Sequence, residues 1–135
     1  MSDKTVTEPR PPRQVDKPAV LGELTALRAD VPGVTETAVA SVDGMLIVAD
    51  TDEARPDVLA ALAATTLGLG KSTGHEVGMG ELREVVVRCA TGHIVVYAVG
   101  RKALMVVLGD EGLDVARLHV GSRPTVQRLT ELLEP

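Results

Sequence analysis

The sequence predicts a small α/β protein of one domain, and the order of three features along the chain predicts it. A β-hairpin comes first, with strand-like runs on both sides of the turn at residues 41–44. Asp43-Gly44 in that turn is among the strongest short-range hairpin signals, because both central residues of such a turn must tolerate positive φ. A long Ala-rich helical segment follows, and a second cluster of strands follows the helix. A chain of 135 residues fits one such domain with a real core.

The composition limits both the core and the partners. Hydrophobic residues make up 44% of the chain, but it has one Tyr, no Phe and no Trp. The core must therefore consist of Val, Leu, Ala, Ile and Met, and the aromatic platforms that stack on nucleic-acid bases are missing. The formal net charge is -5 with no dense Lys/Arg patch, which disfavours a nucleic-acid partner because phosphate binding needs clustered positive charge.

The N-terminal region and the single cysteine predict a cytoplasmic protein, either free or in a membrane-associated complex. Residues 1–16 are polar and carry three prolines, so we expect a disordered tail ahead of a folded domain at residues 17–135. A solvated leader is the favoured interpretation of the tail, and an arm that docks on a partner is the alternative. We find neither a signal peptide nor an apolar run that could insert into a membrane. One cysteine, Cys89, excludes an internal disulfide framework.

The first predicted helix runs from about residue 18 to 29, and the hairpin follows it. Leucines recur three residues apart and form one apolar stripe; they are Leu21, Leu24 and Leu27. Val31-Pro32-Gly33 ends the helix. In the first strand one face is predicted to carry Val34, Ala38, Ala40 and Val42. The second strand, residues 45–49, is almost wholly apolar, so we expect both of its faces to be covered.

The middle helix is predicted from Arg55-Pro56 to about Gly74, and it carries two distinct stripes. A bulky stripe, which we expect to pack on the sheet, consists of Leu59, Leu62, Thr66 and Leu69. A small-residue stripe consists of Ala61, Thr65, Gly68 and Ser72. Gly68 and Gly70 each cost roughly 1 kcal/mol relative to Ala inside a helix. Either a second helix approaches closely and offsets that cost, or the glycines end the helix.

The second half of the chain predicts an antiparallel meander and a last helix. Three strands are expected at about residues 82–90, 94–99 and 103–108, with short glycine-containing turns, including residues 91–93, between them. The first of these carries charge, which is typical of a sheet edge. The final helix covers about residues 113–133, with Val126, Leu129 and Leu133 on one face. Pro124 should kink or interrupt that helix.

No group of side chains in the sequence predicts catalysis, a metal or a cofactor. Residues 68–73 resemble a phosphate-binding loop, but Thr65 occupies its first glycine position and the segment ends a helix, where the dipole disfavours phosphate. His75, His93 and His119 fall on three different elements. A buried, inert thiol is the favoured interpretation of Cys89. We therefore predict a protein that is not an enzyme.

Two stretches resemble the roadblock (dynein light chain) domain family. The first comprises residues 31–34 and 38–47, with the Ser-x-Asp-Gly turn, and the second comprises residues 84–92, 94–99 and 104–108. The predicted α-β-β-α-β-β-β-α order matches the family across nearly the whole chain. Ten Arg against four Lys, with abundant Ala, Val and Gly, are similar to roadblock proteins of high-GC bacteria. Some of those are encoded in conservon operons beside a sensor-kinase-like protein and a small GTPase.

The resemblance implies a profilin-like α/β/α sandwich whose five-stranded antiparallel sheet has the order 2-1-5-4-3 and is flanked by three helices. It also implies a homodimer in which the middle helices pack antiparallel and the third strands pair into one continuous sheet. The small-residue stripe fits the helix pair. The predicted dimer interface therefore consists of Ala61, Thr65, Gly68 and Ser72 on the helix, with Arg83, Val85 and Val87 on the strand.

The resemblance further implies a non-enzymatic partner of a small Ras-like GTPase in a bacterial signalling complex, with a sensor-kinase-like protein as a further partner. Family members bind such GTPases as platforms or as activators of hydrolysis, and they have no catalytic motif of their own. Two alternatives stay open. One is a ligand-sensing module of the PAS or GAF kind, which needs a pocket with convergent polar groups. The other is a hydrolase that uses Cys89 or a histidine.

Overall fold

Three helices cover the two faces of one five-stranded antiparallel sheet in a computed structural model that describes residues 14–134. The elements are α1 (Lys17–Asp30), β1 (Val34–Ser41), β2 (Leu46–Asp50), α2 (Pro56–Glu76), β3 (Glu84–Cys89), β4 (Gly92–Val99), β5 (Ala103–Asp110) and α3 (Val115–Leu133). The strands lie in the order β2-β1-β5-β4-β3. The predicted order of elements and the sheet order implied by the resemblance are therefore confirmed. Residues 1–13 of the predicted tail lie outside the described residues.

Helix α1 begins at a side-chain cap and buries one stripe. The Asp16 carboxylate accepts a hydrogen bond from the backbone N–H of Ala19 at 3.1 Å, which satisfies one of the free donors of the first turn. Leu24 and Leu27 are buried as predicted, but the third buried position is Val20. Leu21, expected in the stripe, is 38% exposed. The buried stripe therefore begins at Val20 and follows spacings of four and three residues, instead of the predicted spacing of three.

The hairpin turn lies where the sequence predicts it, but its geometry differs. The backbone N–H of Gly44 donates to the Ser41 carbonyl at 3.0 Å. Gly44 has a φ of 93°, whereas Asp43 is not among the residues with positive φ. The expectation of two positive φ values is wrong, because the turn is a three-residue type that needs only one left-handed residue, the glycine. Met45 lies outside β2 and is 69% exposed.

A β-bulge in β1 changes which residues share a face and fixes the entry to α2. The register with β5 shifts between Val34 and Glu36. Val34 consequently lies in the same core as Val39, and its predicted grouping with Ala38 is wrong. The Glu36 Oε1 atom accepts hydrogen bonds from three successive backbone N–H groups, those of Asp52, Glu53 and Ala54, at 2.7, 2.9 and 3.0 Å. The loop that leads into α2 is thereby tied to the sheet.

The sheet separates two cores of different character. Helices α1 and α3 cover one face and bury large side chains there, including Leu24, Met105, Leu118 and Leu129. Helix α2 covers the opposite face, where half of the buried residues are alanines, namely Ala38, Ala40, Ala60 and Ala63. Strand β2 contributes to both cores, so the prediction that both of its faces are covered is confirmed.

Helix α3 continues through its proline. The helix is unbroken from Val115 to Leu133, so Pro124 does not interrupt it, and the other predicted outcome, a kink, stays a prediction. Pro124 lacks the backbone N–H that would have donated to the carbonyl of Val120. Both Pro124 and Val120 are exposed. Water can solvate that carbonyl, which reduces the cost of the proline. Leu129 is fully buried, and Val126 and Leu133 are partly buried beside it, as their predicted face requires.

Strand β3 is an edge strand, as its charged residues predict, since it pairs only with β4. It spans Glu84–Cys89 and is shorter than the predicted strand. Gly92 and His93, expected in the turn, pair within the β3–β4 ladder. Cys89 is exposed at the end of this edge, so the expectation of a buried thiol is wrong. Within residues 14–134, no helix combines the length and the apolar character that crossing a bilayer requires.

Candidate interaction surface

Helix α2 is apolar on the side that faces away from the sheet. From Val58 to Gly70 the helix contains no charged residue. Its sheet-facing side is formed by Ala60, Ala63 and Leu67, which are all buried. Large side chains on the opposite side are exposed, with Leu62 at 62% and Leu69 at 67%. A helix that is apolar all round is typical of one that is covered on more than one side.

The two leucines Leu62 and Leu69 of the bulky stripe face away from the sheet, so the prediction that this stripe packs on the sheet is wrong for them. Leu62 and Leu69 face solvent, and of that stripe only Leu59 and Thr66 are half-buried. The physical reason lies in the sheet. Beneath α2 the strands carry Ala38 and Ala40, and alanines of the helix pack on these small residues, which lets helix and sheet approach closely. Packing by small residues decides the rotation of α2 here, rather than the size of its leucines.

The predicted small-residue stripe is exposed and lies beside those leucines. Ala61, Thr65, Gly68 and Ser72 are all exposed in the isolated chain. We define the outer face of α2 as Val58, Ala61, Leu62, Thr65, Gly68, Leu69 and Ser72. The absence of charge over residues 58–70 indicates that α2 is covered on more than one side, but it does not indicate which side faces the sheet.

The glycines in α2, and Gly44 in the hairpin turn beside it, differ in what lies next to them. A Cβ added to Gly70 would lie 2.8 Å from Leu82 Cδ2 and 2.9 Å from Val85 Cγ2, so Gly70 lets the segment before β3 pack against the helix. A Cβ on Gly44 would lie 3.3 Å from Ala61 Cα, so the hairpin turn rests on α2. A Cβ on Gly68 would meet nothing within 4 Å. Because α2 continues to Glu76, Gly68 does not end the helix.

The threonines of α2 keep their hydroxyl groups inside the helix. Thr65 Oγ1 donates to the Ala61 carbonyl at 3.0 Å, and Thr66 Oγ1 donates to the Leu62 carbonyl at 2.9 Å. Thr73 Oγ1 donates to the Leu69 carbonyl at 2.8 Å. Such back-bonding leaves none of these three threonine hydroxyls in need of a partner. The outer face of α2 can therefore be covered by another surface without a desolvation penalty for these donors.

The strand residues of the predicted interface lie at the free edge of the sheet. Arg83 is exposed just before β3, and its carbonyl accepts the N–H of Ala98 at 3.0 Å. Val85 and Val87 are half-buried on the α2 side of β3. Since Gly70 packs against Val85, the outer face of α2 and the edge of β3 are neighbours. We call the two together the α2–β3 surface.

The side chains that were considered for chemistry are dispersed. His75 lies in α2, His93 in β4 and His119 in α3. Among residues 14–134, no three His, Cys, Asp or Glu side chains are grouped so that they could hold a metal ion. The segment that resembles a phosphate-binding loop, residues 68–73, lies inside α2 and not at a helix N-terminus.

Comparison with known protein families decides what kind of domain this is. The sequence matches the family model of the Roadblock/LC7 domain over residues 20–109, which is most of the chain and contains both the hairpin and the α2–β3 surface. The chain belongs to the Roadblock/LC7 family. The resemblance seen in the sequence is thereby confirmed. No curated protein matches the sequence.

Solved structures show the same Roadblock/LC7 fold. A Roadblock/LC7 domain from Streptomyces avermitilis is 28% identical, with a TM-score of 0.79, over 84% of this chain and 97% of that one. The gliding protein MglB from Thermus thermophilus is 15% identical, with a TM-score of 0.80, over 91% and 94% of the two chains. Profilin IB from Acanthamoeba castellanii is 12% identical, with a TM-score of 0.58, over 85% and 96%. The expected profilin-like architecture is therefore confirmed.

Proposed function

We propose that this Roadblock/LC7 protein is a non-enzymatic homodimeric adaptor that regulates a small Ras-like GTPase. The observation that carries the proposal is the outer face of α2, which exposes Leu62 and Leu69 on a stretch without charge. The roadblock resemblance implies the class of partner. The protein would act in the cytoplasm as part of a bacterial signalling complex, either free or associated with a membrane through its partners.

In the proposed dimer, α2 packs antiparallel against its copy and the two β3 edges pair. Gly68 has open space where a side chain would stand, which would let the two helix backbones approach closely. Arg83, Val85 and Val87 would line the strand pair beside Ala61, Thr65 and Ser72 of the helix. Strand pairing would also cover an edge that is otherwise open to non-specific pairing.

The exposed leucines of α2 would contribute to such an interface. Full burial of a leucine side chain contributes roughly 1.5–3 kcal/mol, and Leu62 and Leu69 are still 62% and 67% exposed. A two-fold interface uses each residue twice, so these two residues would place four leucines in it. That gain opposes the loss of translational and rotational freedom, which costs roughly 4–15 kcal/mol, so the β3 edges and the rest of the α2–β3 surface must contribute as well. The threonine hydroxyls add no penalty because they are bonded within α2.

The dimer can be tested with Leu62→Glu and a matched control. Glutamate at position 62 would place an unpaired charge in the interface, and we expect dissociation to become about a hundredfold more favourable. Val120→Glu is the control, because Val120 is 63% exposed on α3 and lies outside the α2–β3 surface. The measurement is molar mass by light scattering after size exclusion, across a range of concentrations. Equal dimer populations in both variants would refute this interface.

The GTPase partner can be tested with the small GTPase encoded nearest to this gene, loaded with GDP or with a non-hydrolysable GTP analogue. We expect a complex of the dimer with the GTPase in one nucleotide state, seen as a shift in mass by size exclusion with light scattering. The Leu62→Glu chain should lose the complex, and the Val120→Glu chain should keep it. A wild-type dimer that binds neither nucleotide state would refute the GTPase role and leave a scaffold for the kinase-like partner.

A further inference from the structure

A cleft of about 700 Å³ opens between α3 and the segment that leads into β3. Helix α3 packs over β4 and β5 but does not reach β3, so it leaves part of its own side of the sheet uncovered. Tyr97 and the α3 residues of the cleft lie on that side, and Leu82 and Ala98, which pack against the core beneath α2, line its other end. Its volume is in the range of sites that hold small molecules.

The floor of the cleft contains the only tyrosine of the chain. Tyr97 on β4 is 5% exposed, and its hydroxyl forms a hydrogen bond of 2.7 Å with Nδ1 of His119 on α3. Ser122, also on α3 and also lining the cleft, is buried and donates from Oγ to the His119 carbonyl at 3.1 Å. Burial raises the pKa of Tyr97 to about 12, so its hydroxyl keeps its proton at neutral pH.

Three arginines from three different segments surround this floor. They are Arg83 before β3, Arg101 in the turn between β4 and β5, and Arg123 on α3. Among the described residues, the ion pairs within 4.0 Å involve other arginines, on α1 and α3. Within residues 14–134, none of the three arginines of the cleft forms such a pair. Arg101 and Arg123 are therefore available to a ligand, whereas Arg83 also belongs to the proposed dimer contact.

Carboxylates lie at the same cleft as the arginines. Glu81 and Glu84 line it, and the Glu134 carboxylate accepts hydrogen bonds from the backbone N–H of Arg101 at 3.1 and 3.2 Å. The formal charges of these three acids and the three arginines balance, whereas the whole chain has a formal net charge of -5. The contact with Glu134 holds the turn that carries Arg101 in place.

The apolar residues that line the cleft are Leu82, Ala98 and Val126. Leu82 and Ala98 also pack against the core beneath α2, so Val126 of α3 forms the apolar wall on the side of Tyr97. We propose that this cleft is a binding site for a small amphiphilic anion, whose phosphate or carboxylate group is held by Arg101 and Arg123 and whose apolar part lies against that wall. Guanidinium groups suit this role because they present a planar fork of donors to such anions. Binding would give the adaptor the ligand-sensing capacity that a pocket with convergent polar groups supports.

The test uses the fluorescence of Tyr97, which is a single-site reporter because the chain has one Tyr and no Trp. The full chain is titrated with butyl phosphate, butyrate and butanol at constant ionic strength. These probes share an apolar body, do not absorb where tyrosine is excited, and differ in the group at one end. We expect a saturable change with at least one anion and none with butanol. The anion that binds with the higher affinity identifies the natural ligand as a phosphate or a carboxylate.

Variants assign the binding to the cleft. Arg123→Gln should weaken binding of the better anion by roughly tenfold, since a charge-assisted bidentate contact is lost. Arg55→Gln is the control, because it removes the same charge at the start of α2, outside the cleft. Arg83 also belongs to the proposed dimer contact and is left intact. If Arg123→Gln lowers the melting temperature, Arg101→Gln takes its place.

Three results would overturn the proposal. The first is the absence of a saturable response to either anion, and the second is an equal response to butanol. The third is a loss of affinity in Arg55→Gln as large as that in Arg123→Gln. Isothermal titration calorimetry with the same probes would confirm that a fluorescence change reports binding.

Discussion

The two helical layers of this protein meet solvent in different ways. On the side of α1 and α3, charged residues face outward and bind one another, as in Arg128–Glu23 at 2.7 Å and Arg28–Asp52 at 2.7 Å. On the other side α2 presents an outer face without charge over residues 58–70. The first layer presents charged groups that water solvates. The second exposes Leu62 and Leu69, which is why we propose that a partner binds there.

The cores beneath the two layers differ as well, and substitutions that change the free energy of unfolding can test the difference. The largest expected effect is in the core of α1 and α3. Leu129→Ala removes a fully buried side chain and should lower the free energy of unfolding by about 3 kcal/mol, because it leaves a cavity. Urea unfolding followed by circular dichroism measures it. Leu62→Ala on the exposed face of α2, studied at a concentration where the chain is monomeric, is the control and should change the free energy far less. Equal losses of unfolding free energy in the two variants would mean that Leu62 is buried and that α2 is rotated about its axis relative to this structure.

The core beneath α2 should be destabilised by the opposite change, an increase in the volume of a buried side chain. Ala63 is 3% exposed between α2 and strands that carry alanines. Ala63→Leu should therefore lower the free energy of unfolding by about 2 kcal/mol, because the extra methyl groups force the helix away from the sheet. Ala26→Leu, at an exposed position of α1, tests the same change without confinement. A more stable Ala63→Leu protein would show unfilled space under α2.

Glu36, which ties the loop before α2 to the sheet, should make stability depend on pH. Partial burial opposes its ionisation, but three backbone N–H groups bind the carboxylate and lower the pKa of Glu36 overall. Its contribution is therefore present above the unfolded pKa of about 4.3 and is lost as the pH falls through the folded value. Between neutral and acidic pH, the free energy of unfolding of Glu36→Gln should fall less than that of wild type. Parallel urea titrations measure the difference, and identical pH profiles would contradict it.

The smallest expected effect concerns Gly68 and separates folding from association. Gly68→Leu has room in the protomer and should stabilise it by somewhat under 1 kcal/mol, since leucine favours helix more than glycine does. In the proposed dimer the same side chain would hold the two helices apart and weaken association. Gly22→Leu is the matched control, because Gly22 is also a helical glycine where an added Cβ would meet nothing within 4 Å. Its protomer should gain stability without a change in dimer population. A Gly68→Leu chain with an unchanged dimer would exclude Gly68 from the interface.

The order of the elements was predictable because turn residues and hydrophobic periodicity are local signals. The rotation of α2 was not, since it depends on what the helix packs against. Leu62 and Leu69 have the size expected of core residues, but Ala38 and Ala40 on the sheet favour alanines on the facing helix. The bulge after Val34 has the same origin, because the register with β5 is a contact between distant parts of the chain.

The cleft shows a second limit of sequence reasoning. Arg83, Arg101 and Arg123 are far apart in the chain and come from a strand approach, a turn and a helix. No spacing rule joins them, and only the short reach of α3 over the sheet brings them together. The single Tyr97 was visible in the composition, but its hydrogen bond to His119 depends on the packing of α3 on β4.

The threonines of α2 have a consequence for how protomers would change partners. The Thr65 hydroxyl already donates within its own helix, so no donor is stranded when a second helix leaves or arrives. At α2, parting two protomers would expose apolar area and leave the hydrogen bonds within the helix intact. The hydrogen bonds lost on dissociation would be those between the two β3 edges. The helix pair therefore sets no hydrogen-bond requirement on the identity of the second protomer, and a related chain with the same kind of helix could take its place.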